Sequence, residues 1–276
     1  MLPLVVAAGL FLLTALTMLW MLSLMLRDAS IVDVFWGLGF VFVYWISYVL
    51  VHSGLDASQP VPARHLLVGF LVTIWGLRLA AHILLRNRGR GEDFRYARWR
   101  SEAGQTWWWR SYFKVFLLQG AILWVVSWPL LAVLADRSQN PLGWIDLLAI
   151  LIWGIGFIFE AGGDWQLRRF KQDPTKRGQL LTSGLWRYTR HPNYFGDALV
   201  WWGFYLFAAV SGVWWTIFSP LLMTFLLRRV SGVAMLERTL RETKPGYLAY
   251  EKRTNAFFPS LPKDDKALEV ENEVPT

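Results

Sequence analysis

The sequence predicts an all-α, polytopic membrane protein of about seven transmembrane helices, with the N-terminus outside and the C-terminus cytoplasmic. Three observations carry that expectation. Hydrophobic residues make up 55% of the 276 positions and charged residues only 17%, where soluble domains approach a quarter charged. Apolar runs recur at close to the ~20 residues that a helix needs to cross ~30 Å of hydrocarbon. Of the 28 Lys and Arg, all but Arg64, Arg78 and Arg137 then fall on one side of the resulting spans, as cytoplasmic loops require.

The spans read in order as 4–26, 31–51, 66–85, 113–135, 144–161, 195–210 and 213–227. The first lacks a basic start and a small-residue cleavage site and runs too long for a signal peptide, so it counts as a span. The second opens on Asp33. The third carries Trp75, Arg78 and His82 at i, i+3, i+7 and leads into Asn87-Arg88-Gly89-Arg90. The fifth carries Glu160, Asp164 and Arg168 four residues apart, one polar stripe down a helix. Only Ser211 and Gly212 separate the last two, which form either a hairpin or one broken passage. The inner segment 86–111 is long enough to read as a cofactor lid rather than a linker. Residues 1–260 read as one membrane-embedded domain and 261–276 as a disordered acidic tail. Most of the 18 Trp lie near span ends, where interfacial belts place them.

Composition also excludes chemistry. The chain has no Cys, which rules out disulfides, iron–sulfur clusters and a cysteine nucleophile. His52, His65, His82 and His191 lack ligand spacing, so no metal site is expected. No G-x-G-x-x-G follows a strand, so a dinucleotide would be held by the helical bundle itself. The net charge of +8 sits mostly on the inner face, where anionic lipid or an anionic cytosolic ligand meets it. Nucleic acid is not an expected partner, because no reader motif is present.

Ionisable groups inside spans are expensive and usually functional. Asp33, Arg78 with His82, Glu160 with Asp164, and Asn193 with Asp197 lie on four separate helices in the cytoplasmic half of the bilayer. They line either an Arg-rich cavity open to the cytosol or a closed salt-bridge network. Pro192 suits the first turn of the sixth helix, whose free amides suit a phosphate or carboxylate.

The run Gly184-Leu185-Trp186-Arg187-Tyr188, followed by Arg190-His191-Pro192-Asn193-Tyr194-Phe195-Gly196-Asp197, resembles the C-terminal domain of the membrane steroid 5α-reductase family, most closely its bacterial branch. Asn87 to Arg90, Asp164 with Arg168, and the segment 237–259 extend the likeness. Arg-His-Pro by itself also occurs in isoprenylcysteine methyltransferases. The resemblance implies a seven-helix bundle in a bacterial inner membrane that binds NADPH and reduces the carbon–carbon double bond of an α,β-unsaturated ketone in a lipid-soluble substrate. It assigns cofactor binding to Asn87, Arg90, Asp164, Arg168, Asn193 and Asp197, with Tyr188, His191, Tyr247 and Tyr250 beside them.

The pattern departs at the ketone. The family's glutamate on an early helix and tyrosine on a following one have no counterpart. Asp33 is the nearest acid, and it reads either as the catalytic acid or as an N-terminal helix cap. An S-adenosylmethionine-dependent isoprenylcysteine-type methyltransferase and a non-catalytic lipid-binding protein are the alternatives. Membrane lipid is an expected partner, and sequence leaves the oligomeric state open.

Overall fold

A computed structural model describes residues 1–53, 60–230 and 233–263. Twelve α-helices are described: α1 Leu2–Leu26, α2 Ile31–His52, α3 Ala63–Asn87, α4 Phe94–Ala103, α5 Trp107–Ser111, α6 Leu118–Val126, α7 Trp128–Ala135, α8 Trp144–Gln172, α9 Pro192–Val210, α10 Phe218–Phe225, α11 Val233–Thr243 and α12 Tyr247–Arg253. No strand occurs among the described residues.

By length and composition α1, α2, α3 and α8 are able to cross a membrane. The bent pair Phe94–Val126 and Trp128–Ala135 makes a fifth passage if its two parts act as one. The 42° bend follows Ser127 and coincides with Pro129 in the first turn of α7, where proline is tolerated only because no helical partner is lost. The expected segment 213–227 is not one α-helix. Gly212 takes a left-handed φ of 77°, residues Trp214–Ile217 form a 3₁₀ turn, and Leu226–Val230 form a π-turn.

The chain divides into two compact units. The first comprises Met1–Leu147 and Phe204–Ser219, and the second comprises Leu148–Gly203 with the described part of Pro220–Thr276.

In the first unit α2 packs along α3 and α1. Gly37 and Gly76 let the α2 and α3 backbones touch, for a Cβ on either would meet the other's carbonyl oxygen at 2.5 Å. Small residues permit this close approach, which replaces the hydrophobic drive that lipid cannot supply. Polar groups in the unit find partners: Trp45 Nε1 donates to Thr73 Oγ1 at 2.8 Å, and the buried Arg64 makes a bidentate pair with the buried Asp146 at 2.7 and 2.9 Å. In hydrocarbon an unpaired group there would cost several kcal/mol.

The second unit is built on α8 and α9, which meet through glycines on both. A Cβ on Gly156 would lie 2.7 Å from the Gly196 oxygen, one on Gly163 would lie 3.1 Å from the Asn193 nitrogen, and one on Gly203 would lie 2.8 Å from Trp153 Cβ. Gly156 with Gly163, and Gly196 with Gly203, are seven residues apart, so each pair occupies one helix face. That contact places the Glu160 and Asp164 stripe against the start of α9.

The segment 86–111 is mainly helical. Gly89 and Gly91 adopt φ of 75° and 72° and turn the chain out of α3, which only glycine does at no steric cost. Asp93 then caps α4, accepting from the Arg95 amide at 3.0 Å. Residues 264–276, most of the expected acidic tail, lie outside the described residues; the Lys263 amide before them donates to the Arg253 carbonyl at 3.0 Å.

Candidate functional site

Two polar constellations stand out, one in each unit.

In the second unit, Arg190 and His191 converge on Glu237 of α11. Arg190 Nε donates to Glu237 Oε1 at 2.9 Å, Arg190 Nη2 lies 2.7 Å from the same oxygen, and His191 Nε2 lies 3.1 Å from it. The Arg190 guanidinium also donates to the carbonyls of Glu251 and Thr254. All three side chains are buried. Burial pushes the Glu237 carboxyl up, but hydrogen bonds from His191 and Arg190 and the guanidinium charge outweigh it and hold the group below its ordinary value. The other ring nitrogen of His191, Nδ1, is buried without a hydrogen-bond partner. The Tyr247 hydroxyl is likewise buried without a well-formed hydrogen bond, although Arg190 and Glu237 stand beside it. Burial raises the pKa of both Tyr247 and Tyr250, which keeps these phenols neutral.

A cavity of about 300 Å³ opens on this cluster. Trp186, His191, Tyr247 and Tyr250 form an aromatic side, while Lys171, Lys176, Arg177 and Lys244 supply cations. The 173–177 turn is fixed by Asp173, which accepts from Thr175 N at 3.0 Å and Oγ1 at 2.6 Å and pairs with Lys176 at 2.9 Å. Those partners hold its carboxyl at about 2. Tyr250 donates to the Trp186 carbonyl and also borders a second cavity, of about 500 Å³, with Arg187, Arg253 and Lys263.

Of the residues expected to bind a cofactor, His191, Tyr247 and Tyr250 meet at the first cavity. Asp164 and Asn193 meet each other: Asn193 Nδ2 donates to Asp164 Oδ1 at 3.0 Å. Asp197 follows one turn later on α9. Arg168 is exposed, and Tyr188, 38% exposed, is fixed by its carbonyl, which accepts from Ser260 N at 2.9 Å. None of these last five lines either cavity. Asn87 and Arg90 belong to the first unit, at the turn leaving α3; the Asn87 carbonyl accepts from Arg90 N at 3.0 Å. Glu237 and the cations of the 171–177 turn are additions that sequence spacing did not reveal.

In the first unit Asp33 does not cap its helix. Ser30 is the N-cap residue, and the Asp33 carboxylate turns to α4, accepting from Tyr96 Oη at 2.6 Å and from Arg95 Nη2 at 2.9 Å. Gln119 Nε2 donates to the Tyr96 oxygen at 3.0 Å. Local bonds set this register: Ala29 N donates to Glu92 Oε1 at 2.8 Å, and Asp93 N donates to Ser30 Oγ at 2.6 Å. Tyr96, the hydrogen-bond donor to Asp33, comes from the helix that follows the Gly89 and Gly91 turn.

Fold and sites together define a helical membrane protein with polar, partly buried clusters. Residues 19–254 match the family described as a protein of unknown function, DUF1295, and the chain belongs to that family. It is 27% identical over 269 residues to an uncharacterized protein of Schizosaccharomyces pombe, C594.04c, a match covering 88% of this chain and 76% of that one. It is 37% identical over 112 residues to the Delta(14)-sterol reductase erg24 of the same organism, covering 34% of this chain and 26% of the reductase. The likeness therefore spans about a quarter of that enzyme. No solved structure matches the chain.

Proposed function

We propose that this protein is a membrane reductase that uses NADPH to reduce the carbon–carbon double bond of an α,β-unsaturated ketone in a sterol-like or isoprenoid substrate. The observation that carries this reading is the cation-rimmed, aromatic-sided cavity over the Arg190, His191 and Glu237 cluster. The likeness to a sterol reductase segment supports it.

The residues present suit such a cofactor. Lys176, Arg177 and Lys244 match phosphate groups. His191 Nδ1 and the Tyr247 hydroxyl are buried with no well-formed hydrogen bond, and ribose hydroxyls or a carboxamide would supply one to each. NADPH, when bound, supplies the hydride.

The protein's share of the chemistry falls to the Asp33 and Tyr96 pair. Tyr96 carries the proton that a substrate carbonyl or its α-carbon receives, once its hydrogen bond to Asp33 is exchanged for one to the substrate. Gln119 donates to the Tyr96 oxygen and Arg95 places a cation beside the pair, and both offset the Asp33 carboxylate, whose charge opposes a phenolate there. On this reading the basic segments face the cytosol and the N-terminus lies outside.

The test is binding of NADPH, NADH and S-adenosylmethionine to detergent-purified protein in parallel. NADPH should bind at least about tenfold more tightly than NADH, a difference of ~1.4 kcal/mol, and Lys176→Ala with Arg177→Ala should erase the preference. Tyr96→Phe should lower turnover of a lipid-soluble enone by about 10²–10⁴-fold while NADPH affinity stays unchanged. Binding of S-adenosylmethionine alone would identify a methyltransferase instead, and the reductase assignment would fail.

A further inference from the structure

The second unit's larger cavity, of about 500 Å³, shares Leu180 and Tyr250 with the one over the Arg190 cluster and has no part in the reading above. One of its walls is a face of α12. Gly246, Ala249, Tyr250 and Arg253 line it, at the i, i+3, i+4, i+7 spacing of a single helix face. Small residues at the first two positions make the room. Gly246 takes a left-handed φ of 78°, which suits glycine, and the space in front of it is open, since a Cβ there would meet nothing within 4 Å. The facing walls come from Thr182 and Arg187 on one side and Pro262 and Lys263 on the other. Bonds that do not involve the charged groups hold these pieces in place. Tyr250 donates to the Trp186 carbonyl, Thr254 Oγ1 to the Arg187 carbonyl at 3.5 Å, and the Lys263 amide to the Arg253 carbonyl at 3.0 Å.

Arg187, Arg253 and Lys263 thus border one space, and among the described residues no carboxylate lines it. Arg187 makes no ion pair among the described residues. Like charges held around a cavity repel one another unless an anion enters between them. The volume is that of a small-molecule site, roughly 300–1,000 Å³, so a lone inorganic anion leaves most of it unfilled. Leu180, Ala249 and Pro262 give the remaining wall an apolar character that suits the uncharged body of a larger ligand. A diphosphate ester carries about three negative charges, one for each cation, and its oxygens fit the forked donors of two arginines. Residues 180–187 and 246–263 lie outside the helices able to cross a membrane, where a charged ligand has access from water.

We propose that this cavity binds an organic diphosphate, with its phosphates against Arg187, Arg253 and Lys263 and its uncharged body against Leu180, Ala249 and Pro262. Such a group reaches the site either on a nucleotide from the aqueous side or on an isoprenyl chain from the membrane. The assignment stands apart from the reductase reading. It requires neither NADPH nor turnover.

The experiment is calorimetric titration of the full chain in detergent with inorganic pyrophosphate, adenosine diphosphate and farnesyl diphosphate, each without NADPH. It is repeated in the Lys176→Ala, Arg177→Ala chain, which lacks two phosphate-matching cations of the neighbouring cavity. Pyrophosphate should still bind there, and adding Arg187→Ala with Arg253→Ala should weaken it by about tenfold or more, the effect of losing one charge-assisted hydrogen bond. Arg187→Lys with Arg253→Lys should retain most of the affinity. Tighter binding of adenosine diphosphate than of pyrophosphate identifies the aqueous source, and tighter binding of farnesyl diphosphate identifies the membrane source; Ala249→Phe should remove either advantage. Arg187, Ala249 and Arg253 are exposed, and melting temperature serves as the folding check. Absence of diphosphate binding, or an affinity that Arg187→Ala with Arg253→Ala leaves unchanged, overturns the proposal. So does equal binding of all three probes, which would make the site one for inorganic anions. Binding that arises only after Asp264→Asn with Asp265→Asn, the two residues following Lys263 in the sequence, overturns it as well, because the chain's own acids would then be the occupant.

Discussion

At the scale of single residues, the Glu237 carboxylate holds the most consequences. It is buried against the guanidinium of Arg190 and the ring of His191, and removing its charge leaves the buried Arg190 with two carbonyls and the more distant Glu251 carboxylate, 3.6 Å away. Breaking a buried pair from one side costs about 3–5 kcal/mol, so Glu237→Gln should unfold at a markedly lower temperature at pH 7. The pH dependence follows from the direction of the shift. A carboxyl held below its ordinary value of 4.5 stabilises the fold above that value, and the contribution is lost as pH falls through and below it. The gap in melting temperature between wild type and Glu237→Gln should therefore be full at pH 7 and close as the pH drops below about 4.5. A gap that does not change with pH would mean that the pair contributes through shape rather than charge. Two of the three members of this cluster are legible in the sequence, since Arg190 and His191 sit together before Pro192. Glu237 lies 46 residues beyond His191, and no spacing rule reaches that far. Tyr96 was hidden for the same reason, 63 residues from Asp33.

At the scale of elements, glycine rather than apolar surface decides how α8 meets α9. The polar stripe of Glu160 and Asp164 was readable from its four-residue repeat, but its partner helix was not, because a glycine's contact is written in the backbone. Two glycines two residues apart separate the effects. A Cβ at Gly156 would strike the α9 backbone at 2.7 Å, while one at Gly154 meets nothing within 4 Å. Gly156→Ala should therefore cost about 1–3 kcal/mol as an overpacked contact, whereas Gly154→Ala should be neutral or stabilising by about 0.5–1 kcal/mol through helix propensity. Thermal unfolding of both variants in one detergent checks this, and similar shifts would show that α8 and α9 are not in backbone contact. The same reasoning explains which spans were readable. Long apolar runs give α1, α2, α3 and α8 directly, whereas 213–227 has the composition of a span but is interrupted at Trp214–Ile217 and again at Leu226. Segment 86–111 was legible as long but not as helical, although Asp93 ahead of Phe94 to Ala103 is a capping signal.

At the scale of the whole molecule, the number of crossings turns on the bent passage from Phe94 to Ala135. Length and composition allow it to be one broken span or a re-entrant loop that returns to the face it left. The distribution of cations favours a crossing. Arg86, Arg88, Arg90, Arg95, Arg98, Arg100, Arg110 and Lys114 precede its apolar part, and Arg137 alone lies between α7 and α8, an asymmetry expected of a segment whose basic end stays in the cytoplasm. Arg88 and Asn140 are both exposed and flank the passage. The absence of native cysteine gives a clean background for Arg88→Cys and Asn140→Cys, each made alone. With a membrane-impermeant maleimide applied to intact bacterial cells stripped of their outer barrier, position 140 should label at once and position 88 only after the membrane is opened. Labelling of both from one side would make the passage re-entrant and leave α1, α2, α3 and α8 as the four clear spans.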